Sequence, residues 1–525
     1  MGSYFNPDNA SFRQAVNSRI YVDKTGLLEI LNGKIFSEEK CVALSHARRF
    51  GKSQAAGMID AYYSCGSDSR ELFSKFTISK AADFSEHLNK YNVIHLDISS
   101  FTDNLKMNLV EKLNTYLYDD FKRDYPDLDY TKSISSVLLQ VCEASGRPFV
   151  IIIDEWDCVV RNFPQKPEMV HEYLQFLHSL FKSEESRSFL ALAYITGILP
   201  IKKIENESAL NNFDEFTMIN SDELTEYFGF TQDEVKTLCD KYGMDMDSVN
   251  KWYNGYLING KHMYNPNSVC YAMSKHRFDS YWKNTSAFST INKYITLNYD
   301  GLKEDILSMV AGNMVPVNTD LFQNDLSTIN SKDEALTALI HLGYLGYDTE
   351  EGAAFVPNYE VAKAFQAALQ TGSWSEVAES IGRCDEILRA TISGDAEKVA
   401  EILEQSHDTY ASVLKYNDEN SLSCAITMAY FTAPAYYNVI RELPAGKGFA
   451  DIAFIPRQTA GGRPAMILEL KWKQDADTAI RQIKERRYAG ALRNYGSEVL
   501  LVGISYDKDA PQKKHSCVIE AVSEV

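Results

Sequence analysis

The sequence predicts an α/β protein built around a parallel sheet, and three observations predict it. Strand-like and helical stretches alternate up to residue 223. A loop ending in Gly51-Lys52-Ser53 follows the first apolar strand and opens a helix. A later apolar strand, Phe149 to Ile153, runs straight into Asp154 and Glu155. Strands that alternate with helices pack as a parallel sheet with helices on both faces.

The elements follow in order. Cys41–Ser45 reads as a strand, His46–Ser53 as the loop, and Gln54–Tyr63 as its helix. Asn92–Asp97 is the second strand, Phe149–Ile153 the third and Phe189–Ile195 the fourth. From 224 to 372 the pattern is mostly helical, with strand-like pieces at Gly343–Leu345 and Ala354–Pro357. This reads as a helical lid or winged-helix-like domain. Trp374–Ser406 and Tyr410–Phe431 are helical again and open a third region. There follow strands at Phe449–Ile455 and Ala465–Lys473, a charged helix from Ala476 to Arg493, and a strand from Glu498 to Tyr506. The expected domains are 1–223, 224–372 and 373–525.

Composition limits the function classes. The chain has 525 residues, 45% of them apolar, enough for several cores. No apolar stretch approaches the ~18 residues of a membrane span, and the N-terminus lacks the features of a signal peptide. Nine cysteines without paired spacing read as reduced thiols. A cytoplasmic location off the membrane is therefore expected. A net charge of −19 argues against a broad nucleic-acid-coating surface, though not against a narrow basic groove.

The loop and the acidic strand end together specify phosphate chemistry. Backbone N–H groups and a lysine cradle a triphosphate, and a strand-end aspartate helps hold Mg²⁺. Lys52 is expected at the β- and γ-phosphates within the loop of Arg49 and Gly51. The Ser53 hydroxyl belongs on Mg²⁺, with Asp154 holding the ion through its water shell. Glu155 is the residue to orient the attacking water, and Thr196 a polar sensor of the γ-phosphate. Arg48 and Arg49 supply positive charge for phosphates. His46 stands where the full loop pattern begins with glycine, which predicts a restricted turn and slow or absent hydrolysis.

These residues carry a resemblance. Tyr21-Val22-Asp23-Lys24-Thr25, Arg48-Arg49-Phe50-Gly51-Lys52-Ser53, Ile152-Ile153-Asp154-Glu155-Trp156-Asp157 and Thr196-Gly197-Ile198-Leu199 resemble a bacterial and archaeal AAA-ATPase-like family. The resemblance continues through Tyr227-Phe228-Gly229-Phe230, Trp252-Tyr253-Asn254-Gly255-Tyr256 and Tyr264-Asn265-Pro266-Asn267-Ser268. That family shows Arg-Pro-Arg-Arg-Phe-Gly-Lys-Ser/Thr, so His46 and Ala47 depart from it. It also lacks the leading glycine. The resemblance implies an ATPase module and supplies no substrate.

A second set of residues lies near the C-terminus. Asp451 is on one predicted strand, Glu469 and Lys471 on the next. Residues two apart on a strand share a face, so Glu469 and Lys471 point together, and a hairpin would bring Asp451 to them. Two carboxylates suit Mg²⁺ or Mn²⁺, and the lysine suits an attacking water and a developing phosphorane charge. The following helix is locally basic, with Arg481, Lys484, Arg486, Arg487 and Arg493 against Glu485. A solvated face and a phosphate-contacting edge both account for it.

This layout resembles the PD-(D/E)xK nuclease superfamily, a restriction-endonuclease-like α/β domain that commonly accompanies the ATPase-like family. The resemblance implies Asp451 and Glu469 as metal ligands, Lys471 as catalytic lysine and Glu419 as an auxiliary ligand or base. It implies Gln482 and Tyr488 as residues orienting water or phosphate. The whole then reads as an ATP-binding protein coupled to a divalent-metal-dependent nuclease acting on DNA. The alternative is a nucleotide-dependent switch whose nuclease-like domain only binds nucleic acid or a protein partner. A homo-oligomer is compatible with either, since many P-loop ATPases work as rings or dimers.

Overall fold

The structure is a computed structural model. It describes residues 2–103, 108–201, 210–281, 299–371 (without 311, 324–325 and 327–328) and 384–522. The last span lacks 412–421, 424, 427–428, 431–432, 434–435, 446–447, 457–462, 489–491, 493–498, 508 and 511–514. The chain forms two compact units. One comprises residues 1–283 with 316–363, the other 284–315 with 364–525.

The first unit holds a five-stranded parallel sheet. Its strands are β1 (Cys41–Ser45), β2 (Asn92–Asp97), β3 (Phe149–Asp154), β4 (Leu190–Gly197) and β5 (Asp214–Thr217), in the order β2-β3-β4-β1-β5. β1, β3 and β4 are buried along their whole length. Strands covered by helices on both faces need such unbroken apolar runs. Alternate residues feed two cores. Ala43, Ile151, Ile153, Ala193 and Ile195 face the helices Leu109–Asp124, Ile134–Ser145 and Pro167–Phe181. Val42, Leu44, Val150, Ile152 and Leu192 face Leu27–Lys34 and Lys52–Tyr63. The fifth strand, β5, carries no apolar alternation in Asp214-Glu215-Phe216-Thr217, and the sequence pattern passes over it.

Beyond β5 the first unit is mixed. The helices Gln232–Tyr242, Met246–Tyr253 and Pro266–Lys275 accompany a small antiparallel sheet of Phe230–Thr231, Lys261–Tyr264 and Tyr256–Ile258. A capping box of Thr231 and Glu234 starts the first of these helices, and Gly243 ends it. The strand-like piece expected at Gly343–Leu345 lies slightly later, at Gly346–Asp348, paired antiparallel with Ala353–Phe355.

The second unit holds a five-stranded mixed sheet. Its strands are β6 (Tyr437–Ala445), β7 (Gly448–Pro456), β8 (Ala465–Trp472), β9 (Val499–Tyr506) and β10 (His515–Val522), ordered β6-β7-β8-β9-β10. β8 and β9 run parallel; the other neighbours are antiparallel. The helix Ala476–Arg486 connects the parallel pair and packs its Ile480 and Ile483 on Ile467 and Leu501. On the other face Ile387, Val399 and Leu403 pack against Phe454, Leu468 and Val502. The helix predicted to reach Arg493 ends at Arg486, where Arg487 takes a left-handed cap with φ 56°.

Candidate functional site

The phosphate loop grows from the sheet order. β1 ends at Ser45, and the loop 46–51 turns into the helix Lys52–Tyr63. Left-handed backbone occurs at Arg49 (φ 69°) and Gly51 (φ 93°), while His46 has none. The glycine requirement therefore sits at Gly51, the helix N-cap. His46 meets no backbone conflict at the leading position. Its imidazole is fully buried, with Nε2 2.5 Å from Ser221 Oγ, and burial pushes it down to about 3.

β4 lies between the loop strand β1 and the acidic strand β3. In register, Leu44 pairs with Thr196, and Ile153 with Ile195, so Thr196 stands between the loop and Asp154. The Thr196 hydroxyl donates to Asp154 Oδ1. The Glu155 amide donates to Asp154 Oδ1 (3.1 Å) and Thr196 Oγ1 (3.3 Å). Glu155 has φ 51° and its carboxylate lies 3.6 Å from Arg161. Arg161 also pairs with buried Asp157 at 2.8 Å, and Asp157 accepts from the amides of Ile198 and Leu199. Arg161 is thus a residue of this site that sequence reasoning missed. Its signal was the four-residue spacing from Asp157 on a helical turn.

Lys52 is buried and donates to the carbonyls of His46 (2.8 Å) and Ala47 (2.9 Å). Burial lowers its ammonium to about 8, against the pull of Asp154, Asp157 and Glu155. Ser53 is exposed at the start of the helix. Arg49 donates to the Tyr281 carbonyl at 2.7 Å.

In front of this loop is a cavity of about 760 Å³. Arg48, Arg49, Gly51, Lys52, Ser53 and Glu155 line one side. Ile20, Val22, Met58, Phe230, Cys270 and Tyr271 supply an apolar wall, and apolar walls with a few convergent polar groups mark small-molecule sites. Segments far apart in sequence build it. Asp23 holds the Tyr21–Thr25 segment by accepting from Thr25 and Thr77, and Lys24 pairs with Glu234 at 2.7 Å. The Gly229 amide donates to the Phe50 carbonyl (3.1 Å), and Asn265 caps the helix that carries Cys270 and Tyr271.

In the second unit Asp451 is one residue beyond the Ile452–Leu468 pair of β7 and β8, opposite Glu469. Its carboxylate accepts the Leu470 amide at 2.7 Å. Lys471 Nζ lies 3.1 Å from Glu469 Oε1, to which Gln482 also donates. Glu469 Oε2 is buried without a hydrogen-bond partner. Tyr488 is buried. Glu419 and Arg493 lie outside the described residues. Among the described residues no cluster of three or more metal-ligating side chains occurs, so Asp451 and Glu469 are the acidic pair the site offers.

Burial, and secondarily the Asp451 charge, raises Glu469 to about 7, with Lys471 opposing. An unfolded glutamate titrates near 4.5. Between these values the folded protein binds a proton that the unfolded chain releases, so stability falls as pH rises through the window. The loss above pH 7 is about 3 kcal/mol. Glu469→Gln is therefore expected to raise the melting temperature of the second unit in EDTA at pH 8 by roughly 6–12 °C, and to change it little at pH 5. Thermal melts at the two pH values check this; an equal shift at both would discard the titration.

Fold and geometry define the class: a P-loop unit joined to a sheet that carries an Asp–Glu–Lys site. Residues 10–205 match the model of the predicted AAA-ATPase family, and residues 417–516 that of the PD-(D/E)XK nuclease superfamily. The chain is thus similar to predicted AAA-ATPases over its first part and to the PD-(D/E)XK nuclease superfamily over a C-terminal region. A protein of Azotobacter chroococcum mcd 1, described as an uncharacterized protein in the vnfD 5' region, is 21% identical over 512 residues. That match covers 93% of each chain. Among solved structures the chain is similar to the Aeropyrum pernix ORC2 protein, with 9% identity and a TM-score of 0.32, covering 70% of this chain and 99% of that one. It is also similar to the replication initiator DnaA bound to AMPPCP and single-stranded DNA, with 10% identity and a TM-score of 0.26, covering 80% and 96%. Among the described residues no helix is long and apolar enough to cross a membrane.

Proposed function

We propose that this protein is an ATP-controlled, divalent-metal-dependent nuclease acting on DNA in the cytoplasm. One observation carries the reading: Asp451, Glu469 and Lys471 meet on adjacent strands, and Glu469 Oε2 is buried with no partner. An orphaned carboxylate oxygen beside a second carboxylate fits a hard cation. Asp451 and Glu469 would hold Mg²⁺ or Mn²⁺, with Glu419 as a third oxygen donor. When bound, such an ion supplies a Lewis acid and a water acidic enough to attack at neutral pH.

The chain's own groups do the rest. Lys471 places positive charge where negative charge develops on the phosphorus oxygens. Gln482 fixes the Glu469 carboxylate, and Tyr488 closes the apolar side of the site. In the first unit Lys52 and Arg49 would bind the phosphates of Mg·ATP, Gly51 lets the backbone turn, and Ser53 and Asp154 are the residues that would hold its Mg²⁺. Glu155 would orient the attacking water, and Thr196, bonded to Asp154, would sense the γ-phosphate. Closure of the residues beyond β5 on ATP then controls cleavage.

The test is cleavage of single- and double-stranded DNA with Mn²⁺ or Mg²⁺, with and without ATP. Metal-dependent cleavage that ATP alters is the expected result. No cleavage of either substrate would leave a nucleotide-dependent switch whose second unit only binds its partner.

A further inference from the structure

Resting on the nuclease reading, we infer that Arg486 is the phosphate-positioning residue of the second unit. It seats the backbone phosphate adjacent to the one reacting at Asp451 and Glu469, and Gly448 makes room for it.

The helix Ala476–Arg486 places the guanidinium. Gln482 and Arg486 are four residues apart on it, so they share a face with Cβ atoms about 5–6 Å apart. Gln482 reaches Glu469. One turn further on, Arg486 lies over Gly448 of β7, three residues before Asp451. A Cβ at Gly448 would stand 2.7 Å from Arg486 Nη1 and 2.9 Å from the Tyr488 hydroxyl. No side chain larger than hydrogen fits there without displacing both groups. Arg486 Nη1 is itself 3.5 Å from the Tyr488 hydroxyl.

The neighbouring basic residues are engaged differently. Arg481 lies 3.7 Å from Asp475 and donates to Thr478, while Lys484 pairs with Glu520 at 2.5 Å. Arg487 forms the helix cap through its backbone, and its exposed side chain lies past the end of the helix. Arg486 shares the helix face of Gln482 and is the one that approaches Gly448. Among the described residues Arg486 has no carboxylate partner, and it remains exposed. A planar guanidinium with free donors matches phosphate oxygens in a forked geometry. In a chain of net charge −19, a nucleic-acid strand needs such local positive charge beside the acidic pair. The ligand class is the phosphodiester backbone of one strand, contacted without base readout.

The experiment measures kcat and KM for Mn²⁺-dependent cleavage of a single-stranded oligonucleotide by the full-length protein across a salt series. Arg486→Ala is expected to raise KM roughly tenfold with kcat little changed, the loss of one charge-assisted contact. The slope of log(kcat/KM) against log salt should flatten by about 0.7, the release accompanying one neutralised phosphate on a single strand. Arg486→Lys keeps the charge and should keep the slope. Arg481→Ala, on the same helix, should leave both KM and slope as in wild type. An unchanged slope in Arg486→Ala, or an equal flattening in Arg481→Ala, overturns the assignment while the nuclease reading stands. Absence of cleavage by the wild-type protein takes both down.

Discussion

Lys471→Ala is expected to lower the cleavage rate by about 10²–10³-fold, the usual cost of removing one preorganised positive donor from a phosphoryl or acyl transition state. The lysine is largely buried, and its ammonium lies 3.1 Å from both Glu469 Oε1 and the Leu470 carbonyl. It therefore has a second effect besides charge stabilisation. It opposes the burial and the Asp451 charge that raise the Glu469 carboxyl. Without it Glu469 holds its proton to higher pH, so residual cleavage should move to more alkaline conditions. Single-turnover rates from pH 6 to 9 separate the two contributions. A rate and pH profile equal to wild type would remove Lys471 from the chemistry.

Lys52→Ala is expected to abolish nucleotide binding. A ligand at 100 times its Kd stabilises the folded state by about 2.7 kcal/mol, and the variant should lose nearly all of that stabilisation in an ATP thermal-shift titration. Lys52 is held in reserve: its ammonium satisfies the carbonyls of His46 and Ala47, and its charge is only partly offset by nearby carboxylates. Incoming phosphates replace those two carbonyls as acceptors and restore the charge balance. Cleavage by the variant should then no longer respond to ATP. A response that persisted would show that the first unit does not act on the second through this loop.

What was legible in the sequence follows from what chemistry demands of it. The β1 and β3 strands were readable because both faces are covered, which forces continuous apolar runs such as Phe149–Ile153. Asp154, Glu155 and Thr196 were legible because strand ends in a parallel sheet place their polar residues at one edge. Edge strands carry weaker signals. Tyr437–Ala445 contains Arg441, Glu442 and Pro444, residues that suit an edge and dilute a strand pattern. His515–Val522 lies at the opposite edge and is only half-buried over most of its length. Long-range geometry was not legible at all. Nothing local in Ile20, Cys270 or Tyr271 links them to Lys52, since they meet only across the folded cavity. Likewise the sequence shows Arg486 only as one basic residue among several on its helix, and its approach to Gly448 is what sets it apart.

The division of the chain has a consequence for its birth on the ribosome. The first unit takes residues 1–283 and 316–363, and the second takes 284–315 and 364–525, so the polypeptide passes between them three times. A growing chain emerges in order, at roughly 5–20 residues per second. The first unit cannot close until residue 363 is out, and the segment 284–315 waits unburied until the later residues of its own unit arrive. The two units thus share one assembly schedule. A chain cut after residue 283 or begun at 364 would leave each unit without a piece of itself.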